Sequence, residues 1–166
     1  HALLAVNAAA LVDHKDHKTL IRAARVARAL EPRLHWVIAG EGSQRGALVA
    51  EIRRLEVEDR VHLVGWIDRI EALIAEASVF VMSSKTEGLG SVILNALALE
   101  RPVAATAAGG IPEILPLEVL VPPGAADALA QKVVAMLRNP QLVPFPPRFT
   151  ARSMAEQVLE VYRTLP

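Results

Sequence analysis

Apolar residues in this chain fall in short unbroken runs, separated by longer stretches where they recur every three or four positions. The runs are Leu3-Leu4-Ala5-Val6, Leu34 to Ala39 (LHWVIA), Val61-His62-Leu63-Val64, Val79-Phe80-Val81-Met82, Val103-Ala104-Ala105-Thr106 and a short Val119-Leu120-Val121. Runs of this length without alternation suit strands buried on both faces. Between them, Leu20, Ile21, Ala24, Ala27 and Leu30 form a helical stripe. So do Leu48, Ile52 and Leu55, then Val92, Ile93, Ala96, Leu97 and Leu99, and finally Leu129, Val133, Met136 and Leu137. Each stripe gives a helix one apolar face to lay on a sheet. Alternation of the two patterns predicts an α/β protein, a three-layer sandwich of about six parallel strands with helices on both sides.

The pattern changes after residue 138. Residues 139–150 contain Pro140, Pro144, Pro146 and Pro147, a density that stops a helix and reads as an extended connector. Residues 151–166 then predict a last amphipathic helix, from about Ala151 to Leu165, with Met154, Val158, Val161 and Tyr162 along its apolar side. The organisation expected is therefore one domain over residues 1–138, the connector, and the helix. A length of 166 residues fits that count.

Composition narrows the function. Eighteen basic and 18 acidic side chains leave no net charge, which argues against a nucleic-acid partner or a polybasic membrane anchor. No cysteine is present, so thiolate catalysis, a disulfide framework and cysteine-bound zinc are excluded. Cysteine-free composition fits a reducing compartment. Aromatics are 4% of residues, too few for a base-stacking platform. No apolar run approaches the ~18 residues of a membrane span, and the first residues show no basic segment followed by an apolar one.

Seven of the nine glycines lie just beyond the carboxyl end of a predicted strand: Gly40 and Gly42, Gly65, Gly88 and Gly90, and Gly109 and Gly110. That edge of an open parallel sheet is where ligands bind. Glycine lets backbone N–H groups come close to a ligand, and a following helix N-terminus favours an anion. Tight strand-to-helix turns would explain any one of them equally well. The first strand leads into Asn7-Ala8-Ala9-Ala10-Leu11, with no G-x-G-x-x-G, which disfavours a dinucleotide oxidoreductase. The GxxxxGK[ST] phosphate loop is absent as well.

Four segments together resemble one family. Ser84 to Glu113 carries Glu87-Gly88-Leu89-Gly90, Asn95-Ala96-Leu97-Ala98, Pro102 to Thr106 and Gly109 to Glu113. This is similar to the donor-binding signature of the retaining glycosyltransferases of family four, which have the GT-B fold. Lys15 to Ile21 (KDHKTLI), Val37 to Gly42 (VIAGEG) and Arg60 to Trp66 (RVHLVGW) resemble further pieces in the same order. The resemblance implies a Rossmann-like, nucleotide-sugar-binding half of a GT-B enzyme. Its implied reaction is transfer of a sugar from a nucleotide-diphosphate sugar with retained configuration. It implies no cofactor and no catalytic metal, and an N-terminal acceptor-binding domain as partner. The location implied is cytoplasmic, with peripheral attachment of the full-length protein at the inner membrane face as an option.

The same resemblance assigns roles. Glu87 would accept hydrogen bonds from donor sugar hydroxyls, and Lys15 would neutralise the leaving diphosphate. Gly88, Leu89, Gly90 and Ser91 would offer backbone N–H groups to sugar or phosphate oxygens. Gly40, Gly42 and Trp66 would flank the nucleotide. Asn95 stands where the family has a second glutamate for the ribose, and Ala10 stands about where it has an arginine. Asparagine keeps an acceptor oxygen but lacks the charge. Plainer readings stand beside these: Glu87 as a helix N-terminal charge, Lys15 and Asn95 as solvated surface groups, Trp66 as a rim hydrophobe. Glu113 reads as a helix N-terminal charge, and His17 as a cap or packing residue at the first helix. His14 and His17 have no third ligand nearby for a metal. The alternatives to a transferase are a binding module that has lost the chemistry, consistent with Asn95 and Ala10, and a GT-B nucleotide-sugar epimerase.

Overall fold

The computed structural model describes residues 2–164. All six apolar runs enter one parallel sheet: β1 (Leu3–Ala8), β2 (Leu34–Ala39), β3 (Val61–Gly65), β4 (Val79–Met82), β5 (Val103–Thr106) and β6 (Leu120–Val121). Their order is β3-β2-β1-β4-β5-β6, and every pairing is parallel. β4 and β5 are buried at every residue, as strands covered on both faces must be.

Three strand limits differ from the sequence pattern, β3 by running one residue further to Gly65. β1 continues through Asn7 and Ala8 because the Asn7 amide is satisfied inside, donating from Nδ2 to the Val81 carbonyl of β4 at 2.8 Å. The last run forms only Leu120–Val121, since Val119 closes a tight helical turn begun at Leu117.

Seven α-helices are described: α1 (His17–Leu30), α2 (Arg45–Arg54), α3 (Ile70–Ala75), α4 (Ser91–Ala98), α5 (Ile111–Ile114), α6 (Ala126–Arg138) and α7 (Ala151–Thr164). α1, α2 and α6 form one outer layer, and α3 and α4 lie together in the other. α1 buries Leu20, Ile21, Ala23, Ala24 and Ala27, whereas Leu30 at its end is 41% exposed. α6 buries Leu129, Ala130, Val133, Val134 and Met136. An Arg138 N–H to the Leu30 carbonyl, 3.1 Å, ties its end to that of α1. α3 is an element the sequence pattern does not predict. At six residues it is too short to show a period, and only Ile74 on it is fully buried.

The start of α1 corrects one expectation. Asp16, not His17, is the cap: its carboxylate accepts the Thr19 N–H and hydroxyl at 3.4 and 2.7 Å. His17 is the first helical residue and is buried.

The connector is not a free spacer. Val143, Phe145 and Phe149 pack against the core. Pro147–Phe149 makes one tight turn, where the Arg148 guanidinium lies 4.9 Å from the Phe149 ring centroid and donates to the Glu113 carbonyl. Thr150 Oγ1 then accepts the Ser153 N–H at 3.2 Å and starts α7. α7 buries none of its residues. Met154, Val158, Leu159, Val161 and Tyr162 are each more than half exposed. Leu165 and Pro166, placed by the sequence in this helix, lie outside the described residues. Among the described residues no helix is long and apolar enough to cross a membrane.

Candidate functional site

β1 and β4 are neighbours, and from them the chain winds outward in opposite directions. Loops leaving their carboxyl ends diverge there, and an open α/β sheet has its ligand crevice at this point. Here the two loops are stitched to each other. The Ser83 hydroxyl donates to the Lys15 carbonyl at 3.0 Å, and the Lys85 N–H to the His14 carbonyl at 2.8 Å. Beneath them His17 Nε2 meets Asn7 Oδ1 at 3.1 Å. Because the Asn7 amide group donates to Val81, its oxygen faces the imidazole, so His17 is the donor through Nε2–H. Burial, opposed by Asp16 and aided by Lys15, lowers the His17 pKa to about 4. His17 is therefore neutral and holds β1, β4 and α1 together.

The stitched loops bring Lys15 and Glu87 together, 72 positions apart in sequence. Lys15 Nζ is 2.5 Å from Glu87 Oε2, with the side chains only 18% and 11% exposed. The same oxygen accepts the Ser84 hydroxyl at 3.1 Å, and Thr106 Oγ1 donates to the Ser84 carbonyl at 2.7 Å. A carboxylate with two such donors on one oxygen is held in one orientation, leaving Oε1 to other partners. A cavity of about 350 Å³ opens beside it, lined by His14, Thr86, Glu87 and Gly88.

Gly109 and Gly110 fix this loop from the β5 side. Gly109 has φ +53, and a Cβ there would fall on the Glu87 carbonyl oxygen. The Gly110 N–H donates to the Gly88 carbonyl at 2.8 Å. The Gly-Gly pair thus serves chain-to-chain approach. Gly42 is similar: a Cβ would strike the Leu11 backbone. Gly90 leads into α4, Leu89 packs toward the core, and Ser91 opens the helix exposed.

A second cavity of about 430 Å³ lies over the carboxyl ends of β1, β2 and β3, lined by Ala8, Ala9, Ala10, Gly40, Trp66 and Val92 among others. Its walls are mainly apolar. Trp66 is 74% exposed at its rim, its Nε1–H donating to Asp68 Oδ1 at 2.8 Å. Glu41, also at the rim, pairs with Arg45 at 3.1 Å. Gly40 and Trp66 thus share a cavity, Glu87 and Gly88 line the other with Lys15 paired to Glu87, and Asn95 lines neither. Asn95 is half-buried on α4 and donates from Nδ2 to Glu71 Oε1 of α3 at 3.3 Å. Sequence reasoning misses Ser84 and Glu71. Ser84 had a signal, as a small polar residue at the end of a buried strand. Glu71 had none, since α3 itself is not legible.

Known proteins share both pattern and fold. The profile of the family described as glycosyl transferases group 1 matches residues 2–160. The chain is 33% identical over 132 residues to the Bacillus subtilis protein EpsD, described as a glycosyltransferase, covering 78% of this chain and 35% of that protein. Against the lipopolysaccharide core biosynthesis glycosyltransferase LpsE of Rhizobium meliloti it is 39% identical over 99 residues, 60% of this chain and 28% of that one. The chain thus spans about a third of the length of these relatives. Among solved structures it resembles Anabaena HepE in complex with UDP-glucose, with TM-score 0.84 and 26% identity over 99% of this chain and 50% of that one. S. aureus TarM, in a complex that includes UDP, has TM-score 0.86 at 20% identity over 99% of this chain and 36% of that one, a likeness of fold alone. The six-stranded Rossmann-like sheet is accordingly one half of the GT-B architecture. A profile match running over nearly its whole length makes this chain a member of the glycosyl transferases group 1 family.

Proposed function

We propose that this chain is the donor-binding half of a glycosyltransferase that uses a nucleotide-diphosphate sugar and retains configuration at the anomeric carbon. The observation that carries the reading is the Lys15–Glu87–Ser84 cluster at the β1/β4 divergence, beside the start of α4. Glu87 would accept from sugar hydroxyls through Oε1 and hold the ring in place. The base and ribose would occupy the 430 Å³ cavity, whose apolar walls suit a planar ring. In the reaction the bond from the anomeric carbon to the leaving diphosphate oxygen breaks. A bond from the acceptor hydroxyl oxygen forms on the same face, and the acceptor proton passes to the departing phosphate. Fixed positive charge and the N–H groups of Gly90 and Ser91 would stabilise the negative charge that develops. UDP-glucose in the HepE structure supports a nucleotide-sugar donor here by likeness.

A second reading, a binding module without transfer, is favoured by Asn95, which lacks a carboxylate's charge, donates from Nδ2 to Glu71 and lines neither cavity. The discriminating experiment is titration calorimetry of this chain with UDP, GDP and ADP, followed by donor hydrolysis with the full-length protein. We expect one diphosphate to bind, more tightly than its monophosphate, and donor turnover in the full-length protein. No heat with any of the three up to millimolar concentration sinks the proposal; binding without donor turnover favours the second reading.

A further inference from the structure

Resting on that reading, we infer that Lys85 is a diphosphate-binding cation of this chain. A nucleoside diphosphate brings two or three negative charges to the crevice, and these need positive partners close by. The large cavity supplies none: the charged residues lining it are Glu41 and Asp68. Ala10 adds no charge. Lys15 is already engaged, 2.5 Å from Glu87 and mostly out of water. A lysine so held offers its remaining N–H groups, but the carboxylate already compensates its charge.

Lys85 is placed differently. Its backbone N–H is pinned to the carbonyl of His14, a lining residue of the 350 Å³ cavity, and its sequence neighbour Thr86 lines the same space. Its side chain is 51% exposed and its Nζ lies 3.7 Å from Asp16 Oδ1. That distance is a charge contact, not a hydrogen bond. The two Asp16 oxygens already accept from Thr19, so Asp16 stays satisfied when Lys85 leaves it. Ion pairs this loose and this exposed are weak. Lys85 is thus a cation rooted beside the same cavity as Glu87, with its head only loosely paired to Asp16 and little to lose. It moves onto an incoming phosphate while Lys15 stays with the carboxylate and keeps it oriented.

The test is titration of this chain with whichever of UDP, GDP and ADP it binds, and with the matching nucleoside. Lys85→Gln is expected to weaken the diphosphate at least about fivefold, to leave the nucleoside within about twofold, and to flatten the salt dependence. Lys85→Arg, which keeps the charge, is expected to restore most of the affinity. Thermal unfolding of both variants checks that the α1 cap is intact. Equal diphosphate affinity in Lys85→Gln overturns the inference. So does a parallel loss for nucleoside and diphosphate, which would place Lys85 in the fold and not at the phosphate. If the unaltered chain binds none of the three, the functional reading falls and this inference falls with it.

Discussion

His17 shows what a single buried titratable group does to this domain. Its native pKa of about 4 lies below the 6.5 of the unfolded chain, chiefly through burial. Between those values the unfolded state takes up a proton that the native state refuses. Stability therefore rises with pH through this window, is fully present above it, and is lost as pH falls toward 4. By pH 4.5 the loss from this residue is roughly 2–3 kcal/mol. His17→Gln keeps a donor for Asn7 Oδ1 and removes the titration. Urea unfolding at pH 7.5 and 4.5 should show the unaltered chain losing roughly 2–3 kcal/mol more than the variant over that interval; equal losses would mean that His17 is accessible to protons in the native state. The sequence marked this histidine as a cap or packing residue, and the packing half is what the structure contains. No sequence pattern could show that its partner would be Asn7, because that bond depends on β1 and β4 lying side by side.

Between elements, the loops at the sheet's carboxyl edge are held more by one another than by solvent. Gly109 is the tightest point, with φ +53 and its open side against the Glu87 carbonyl. An alanine there takes on a left-handed conformation costing about 1–2 kcal/mol and a clash that a backbone carbonyl cannot yield to cheaply. Gly109→Ala is expected to destabilise by at least about 2 kcal/mol and to weaken nucleotide binding by displacing Glu87. Gly88→Ala, whose Cβ would meet open space, is expected to cost under about 1 kcal/mol. Urea midpoints of the two variants check this, and similar values would refute the interlock. The contrast also marks what the sequence could tell. Glycine positions located the carboxyl edge of the sheet, yet Gly42, Gly109 and Gly110 serve close contact between loops. A glycine against a ligand and a glycine against another loop look alike in one dimension. Asn95 carries the same lesson, since its neighbour Glu71 sits on a helix too short to leave a periodic trace.

At the scale of the whole molecule, the strands and the longer helices were legible because burial writes a strong apolar pattern, whereas α3 was not. Strand order was not, since the pattern is the same whichever neighbour a strand takes. That order puts β1 beside β4 and so makes the crevice. On the proposed reading the crevice is one wall of a site. The chain corresponds to 50% of the HepE chain it resembles, and the two cavities at the sheet's edge, one of them beside Glu87, open to solvent. α7 adds an apolar side, Met154, Val158, Val161 and Tyr162, that no described residue covers. Holding two reactants in register contributes roughly 7–11 kcal/mol to a two-substrate reaction, and on the proposed reading this chain holds only the donor. The purified chain should therefore bind a nucleoside diphosphate yet form no glycosylated product when given donor and candidate acceptors. The full-length protein, under the same conditions, should turn over. Product release from the isolated chain at an enzymatic rate, on the order of 1 per second or faster, would show that a single α/β domain of this family suffices for transfer, and the two-walled account of the site would have to be abandoned.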